Sequence, residues 1–148
     1  MKIVVRNGCD ADAPAAIDVL RKSISELCVP DHEGDAREIA GWLSNKTQQA
    51  WCAWLARSDA TVLVAERAGE IVGVGMIDHH GTVLLNYVRP DARFSGVSKA
   101  ILESLENVAV TAGLRECVLE STITARTFYE GCGYKPANAT GLTLAKTL

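Results

Sequence analysis

No run of about 18 apolar residues occurs anywhere in this chain, so no stretch is long enough to cross a bilayer as a helix. The opening Met1-Lys2-Ile3-Val4-Val5-Arg6 reaches polar Asn7 and acidic Asp10 too soon for the apolar core of a signal peptide, and the expected location is cytoplasmic. A C-x-x-C pair is missing too. The cysteines are Cys9, Cys28, Cys52, Cys117 and Cys132, an odd number without that spacing, which argues against a disulfide framework and a zinc site. Buried or inert thiols are expected, since a free cysteine commonly behaves as a small hydrophobe. There is no excess of positive charge: a net charge of −3 and a pI near 5.6 give no electrostatic reason to bind nucleic acid. Repeats, linkers and low-complexity stretches are also absent, and 148 residues with 48% hydrophobic and 22% charged side chains are expected to form one domain over 1–148.

What is present is a succession of strand and helix patterns. Ile3-Val4-Val5-Arg6 is a short β-type run closed by Asn7-Gly8, after which Asp12 stands at an N-cap position with Pro14 in the first turn. Ile17, Leu20, Ile24 and Leu27 recur at helical spacing until Pro30 ends the pattern. A second helix is expected over 35–43 and a third over 47–57, where Trp51, Trp54 and Leu55 share a face best used for core packing. Residues 61–66, 71–77 and 83–88 have strand composition and short connections, so three consecutive antiparallel strands should form. Arg89-Pro90 stops the third. A long helix then carries Val97, Ile101, Leu105, Val108 and Ala112 on one stripe and ends at Gly113. A strand over 117–120, a short helix over 125–130 and a last strand over 142–144 complete the chain. The fold class this order predicts is α/β (α+β), a mixed, mostly antiparallel central sheet flanked by helices. The strand ending at Val88 and the one at Cys117 are joined by a helical crossover and should run parallel, with a site beyond their carboxyl ends.

Two stretches carry chemistry. In Tyr87-Val88-Arg89-Pro90-Asp91-Ala92-Arg93-Phe94-Ser95-Gly96-Val97-Ser98-Lys99 a strand enters a loop that opens a helix. Backbone amides at a helix start lack intrahelical partners and face the positive end of the dipole, a geometry suited to pyrophosphate. Gly96 allows close backbone approach, Arg93 and Lys99 add charge, and the hydroxyls of Ser95 and Ser98 can donate further bonds. In the second stretch, Glu120-Ser121-Thr122-Ile123-Thr124-Ala125-Arg126-Thr127-Phe128-Tyr129, a strand passes into a short helix bearing two aromatic rings.

Together the stretches resemble the GNAT superfamily of N-acetyltransferases, whose cofactor loop reads Arg/Gln-x-x-Gly-x-Gly/Ala after a strand ending in a Val-x-Pro pattern. The resemblance implies the acyl-CoA N-acyltransferase fold, acetyl-CoA as cosubstrate and no metal. It implies that Tyr87 and Val88 lie along the pantetheine arm and that the loop Arg93, Phe94, Ser95, Gly96, Val97, Ser98 and Lys99 holds the pyrophosphate. Thr122 occupies a position where many members place an asparagine against the arm. Phe94 stands where the family often has glycine and is expected to keep φ negative, and Ser98 stands where the family has glycine or alanine. Tyr129 would protonate the departing thiolate, and a backbone N–H near Val88 would hold the oxyanion.

Direct transfer needs an uncharged amine, and an ammonium of pKa about 10.4 must lose a proton first. Glu120 is the first candidate for general base, with Asp78, His79 and His80 as alternatives; Asn86, where some members have a carboxylate, cannot accept a proton. The acceptor is expected to be a small-molecule or peptide primary amine, bound near the acidic loop at Asp31 and His32 with Trp51 or Trp54 as walls. Two other readings stand beside this one: a catalytically degenerate CoA-binding or interaction module of the same fold, and a thiol-based redox protein. Self-association into a homodimer is left open by the sequence.

Overall fold

A computed structural model describes residues 2–28, 33–138 and 142–148. The chain runs β1 (Ile3–Asn7), a 3-10 turn (Asp10–Asp12), α1 (Ala13–Leu27), α2 (Ala36–Leu43), α3 (Gln48–Ala56), β2 (Ala60–Arg67), β3 (Glu70–Asp78) and β4 (Thr82–Val88). A second 3-10 turn (Pro90–Ala92), α4 (Val97–Thr111), β5 (Glu116–Glu120), α5 (Arg126–Gly131), β6 (Lys135–Pro136) and β7 (Thr143–Thr147) follow. The strands form one seven-stranded sheet in the order β1-β2-β3-β4-β5-β7-β6, antiparallel except between β4 and β5. The mixed, mostly antiparallel sheet and the crossover by α4 are as the pattern predicts. The two-residue β6 and a last strand reaching Thr147 are not.

Helices cover both faces. Ile17 and Leu20 of α1 bury their stripe with Trp51 of α3 against Val62, Val64, Val74, Met76 and Leu85. On the opposite face Val97, Ile101, Leu102 and Leu105 of α4 pack on Leu63, Ala65, Val72 and Ile77. A sheet buried on both sides needs continuous apolar runs rather than alternation, which is why Val62, Leu63, Val64 and Ala65 are all buried. The glycines of β3 set how near α4 can come: a Cβ at Gly73 would lie 2.5 Å from Ile101 Cδ1 and 2.7 Å from Val97 Cγ1.

Asp12 departs from its expected role. The 3-10 turn already includes it, so its side chain turns back instead of capping α1: Oδ2 accepts from the Cys9 N–H at 2.8 Å, and Arg6 reaches both carboxylate oxygens at 2.8 and 2.9 Å. Trp51 is fully buried and donates its indole N–H to the Cys9 carbonyl oxygen at 3.0 Å, so it serves the core.

The feature that positions a site is a break in the middle of the sheet. Only Thr82↔Val118 and Val83↔Leu119 pair β4 with β5. The next residue, Leu84, is an extra one in the β3–β4 register, which passes from Ile77↔Val83 to Met76↔Leu85. Such a bulge bends and twists its strand. From Leu84 to Val88, β4 keeps β3 on one side and no described strand on the other.

Candidate active site

The gap between β4 and β5 opens into a cleft of about 350 Å³ that passes from one face of the sheet to the other. The start of α4 and the aromatic side of α5 reach it from one face, and Ser23, Leu27 and Cys28 at the end of α1 from the other. The site thus lies at the carboxyl ends of the two parallel strands, where the topology places it.

On the α4 side the backbone itself is the functional group. Gly96 is the N-cap, at φ +87, and no side chain caps the helix. The amides that open α4 therefore lack intrahelical acceptors and present the positive end of the dipole to the cleft. Phe94 takes φ +62, which overturns the expectation of a negative value there. Left-handed backbone at a residue with a Cβ costs about 1–2 kcal/mol, and the loop accepts it to turn the chain into α4. The Phe94 ring is 94% exposed, with the Arg93 guanidinium carbon 4.9 Å from its centroid.

Arg93, Phe94, Gly96, Val97, Ser98 and Lys99 line the cleft together with Tyr87 and Val88 of β4. Ser95 does not. Its hydroxyl is spent within the loop, donating to the Ala92 carbonyl oxygen and accepting from Arg67 Nη1 at 3.1 Å. Thr122 borders the cleft, and its Oγ1 accepts from the Ala125 N–H at 3.1 Å, closing the turn into α5. An oxygen engaged as acceptor leaves the hydroxyl proton to donate.

Tyr129, on α5, reaches the same cleft while buried between the rings of Phe128 and Tyr134, with centroids 5.1 and 5.8 Å away. Burial pushes its phenol above the ordinary tyrosine range, offset in part by the nearby Asn86 side chain. The group is a phenol, not a phenolate, at neutral pH. Glu120 lies exposed at the end of β5 on the cleft wall and accepts from the Thr143 hydroxyl at 2.7 Å.

The other candidate bases are elsewhere. Asp78, His79 and His80 form the turn before β4, where Asp78 Oδ1 accepts from the N–H groups of His80 and Thr82 at 2.9 and 3.0 Å. Asp31 and His32 lie outside the described residues. Sequence reasoning missed Leu84, Phe128 and the end of α1 as cleft walls. A stripe of helical apolar residues carries no mark saying that its last turn meets a break in the sheet. Among the described residues no group of three or more His, Cys, Asp and Glu could hold a metal, and no helix is long and apolar enough to cross a membrane.

A family profile described as an acetyltransferase (GNAT) domain matches residues 28–142. The chain is 36% identical over 74 residues to an IAA acetyltransferase of Azospirillum brasilense, a match covering 47% of this chain and 48% of that one, so the chain spans about half the length of that curated relative. Among solved structures it superposes on the Paia N-acetyltransferase of Thermoplasma acidophilum in complex with coenzyme A with TM-score 0.86 and 20% identity over 100% of both chains. A GCN5-related N-acetyltransferase from Rhodopseudomonas palustris gives TM-score 0.89 and 19% identity over 100% of this chain and 97% of the other. At such identities the likeness is one of fold.

Proposed function

The chain belongs to the GNAT acetyltransferase family, and on that premise we propose that residues 1–148 form a single cytoplasmic domain that uses acetyl-CoA to acetylate a primary amine on a small molecule or peptide. Transfer occurs by direct attack within a ternary complex. The observation that carries this reading is the coincidence of the β4–β5 gap with the uncapped start of α4. Acetyl-CoA supplies an activated acyl group as a thioester.

Each part of the cleft then has a task. The amides opening α4, with Arg93 and Lys99, hold the pyrophosphate as charge-assisted donors. The β4 edge from Leu84 to Val88 offers backbone groups to the pantetheine arm, which lies beside it as a strand would, and the Thr122 hydroxyl donates to the arm from the opposite wall. An N–H near Val88 stabilises the developing oxyanion. Tyr129 gives its proton to the departing sulfur, and Glu120 takes the proton from the amine, directly or through a water.

The test is calorimetric titration with acetyl-CoA and CoA, followed by a screen of amines for release of free thiol. Arg93 and Lys99 are both exposed, so the double variant Arg93→Glu/Lys99→Glu should fold and should weaken binding by about tenfold or more. Absence of binding by folded wild-type protein rejects the reading. Binding without acetylation of any amine favours a CoA-binding module of the same fold.

A further inference from the structure

Among the described residues, three other than glycine take left-handed backbone: Glu33 at φ +53, Ala68 at +55 and Phe94 at +62. The first two belong to tight turns. Each precedes a glycine that is also at positive φ, Gly34 and Gly69, and Ala68-Gly69 joins the paired ends of β2 and β3, where such angles match the twist of the strands. Phe94 is followed by Ser95 and closes no hairpin. Its ring gains little from the fold: at 94% it is the most exposed large apolar side chain described, against 58% for Ile123 and 55% for Val110. The Arg93 guanidinium carbon lies over one face, 4.9 Å from the centroid, and exposure this high leaves the other face bare. The loop beneath is pinned, since the Ser95 hydroxyl donates to the carbonyl oxygen of buried Ala92 and accepts from Arg67 Nη1 at 3.1 Å.

A large aromatic ring held in water on unfavourable backbone lowers stability, and such a residue persists where a bound ligand gives the ring a partner. Phe94 stands on the wall of the cleft. It precedes Gly96, the N-cap of α4, by two residues, so the two Cα atoms are at most about 7.6 Å apart. If the α4 amides hold the pyrophosphate, one ribose separates that group from the adenine of acetyl-CoA, while the pantetheine arm leaves from the other phosphate along β4. The purine then falls within reach of the ring. Resting on the acetyltransferase reading, we propose that Phe94 is a cosubstrate-binding residue whose bare face stacks on the adenine of acetyl-CoA, with the Arg93 guanidinium on the opposite face. Arg93 thereby joins the two contacts, its charge serving the pyrophosphate and its plane backing the ring. The nucleotide half of the cosubstrate is held by this stack and the acyl half by the β4 edge.

The test sets two ligands against two variants. CoA is titrated by calorimetry beside 4′-phosphopantetheine, which keeps the arm and one phosphate but lacks the adenosine, the weaker ligand being measured by displacement. Phe94→Gly removes the ring and relieves the backbone, so it is expected to melt at or above the wild-type temperature, and a loss of binding cannot then come from unfolding. It should raise the Kd for CoA by about tenfold and that for 4′-phosphopantetheine by less than about twofold. Phe94→Trp supplies a larger ring and should bind CoA at least as tightly as the wild type. An unchanged Kd for CoA in Phe94→Gly overturns the proposal. So does an equal loss with both ligands, which would assign the effect to the loop backbone, and so does a loss in Phe94→Trp as large as that in Phe94→Gly. Each of these leaves the acetyltransferase reading in place, whereas a folded wild-type protein that binds neither acetyl-CoA nor CoA removes both.

Discussion

Two tyrosines stand side by side with ring centroids 5.8 Å apart, and their hydroxyls live in opposite circumstances. Tyr134 donates to Glu106 Oε2 at 2.9 Å, and Lys146 bonds the other oxygen of the same carboxylate at 3.0 Å, so α4, β7 and the segment after α5 are tied by a closed set of partners. Tyr129 has the cleft on one side and Asn86, itself half satisfied, on the other. The first arrangement spends its polar groups on the fold. The second holds polar capacity in reserve at a cost to stability, as binding sites do. The same contrast separates the Arg6–Asp12–Glu66 cluster, where each partner is engaged, from the loop at Phe94, where positive φ is retained beside the cleft.

Tyr129→Phe and Tyr134→Phe should therefore part company. Tyr129→Phe is expected to lower kcat by about 10²-fold with little change in acetyl-CoA affinity, measured by steady-state kinetics and calorimetry. Equal loss of both would erase the distinction. Because burial raises the Tyr129 phenol above the ordinary range, its proton is in place at all pH values below that range. The wild-type kcat profile should accordingly show no loss assignable to a tyrosine up to about pH 10. Tyr134→Phe should act the other way, leaving kcat within about threefold while costing about 1–2 kcal/mol in urea denaturation, since it strips a partner from a mostly buried carboxylate.

Asp12→Asn is expected to cost about 1–2 kcal/mol, discounted because Arg6 is partly exposed to solvent. Hydrogen bonds from Arg6 first, and then from Cys9, hold the Asp12 carboxyl down at about 2 against an ordinary 3.8. A depressed carboxylate stabilises the fold above its unfolded pKa, so this contribution should be whole above about pH 5 and drain away as pH falls toward 2. Denaturation midpoints should fall less steeply across that window in Asp12→Asn than in the wild type. The smallest effect is a gain: Phe94→Gly should raise stability by about 1 kcal/mol by relieving left-handed backbone at a residue with a Cβ. A loss would mean that the exposed ring contributes more to the folded state than its backbone costs.

Most of the architecture was legible because it is written in short-range patterns. The stripes of Ile17 and Leu20 and of Ile101 and Leu105, and the strand runs around them, needed only neighbours in sequence. The loop before α4 was legible for the same reason, since Arg93, Gly96 and Ser98 sit within one turn of each other. The features that escaped depend on long-range register. Leu84 is a bulge only because of how β3 pairs with β4, and Cys28 meets the cleft only because α1 packs on the face opposite α4. Asp12 looked like a cap until Arg6, on β1, claimed both of its oxygens. Asn86 was weighed as a base and set aside, and nothing local told that its oxygen would be buried alone.

The two residue pairs that join β4 to β5 also make a seam across the molecule. Hydrogen bonds on either flank of it belong to separate ladders, β1 to β4 and β5 to β6, sharing α4 as a strap. Such a sheet is expected to open in two cooperative blocks rather than one, and amide exchange should be fastest where β4 runs on past its last pair with β5. An extended ligand lying in the seam would fuse the blocks, so slowed exchange at Leu84 to Val88 would report occupancy independently of any chemistry.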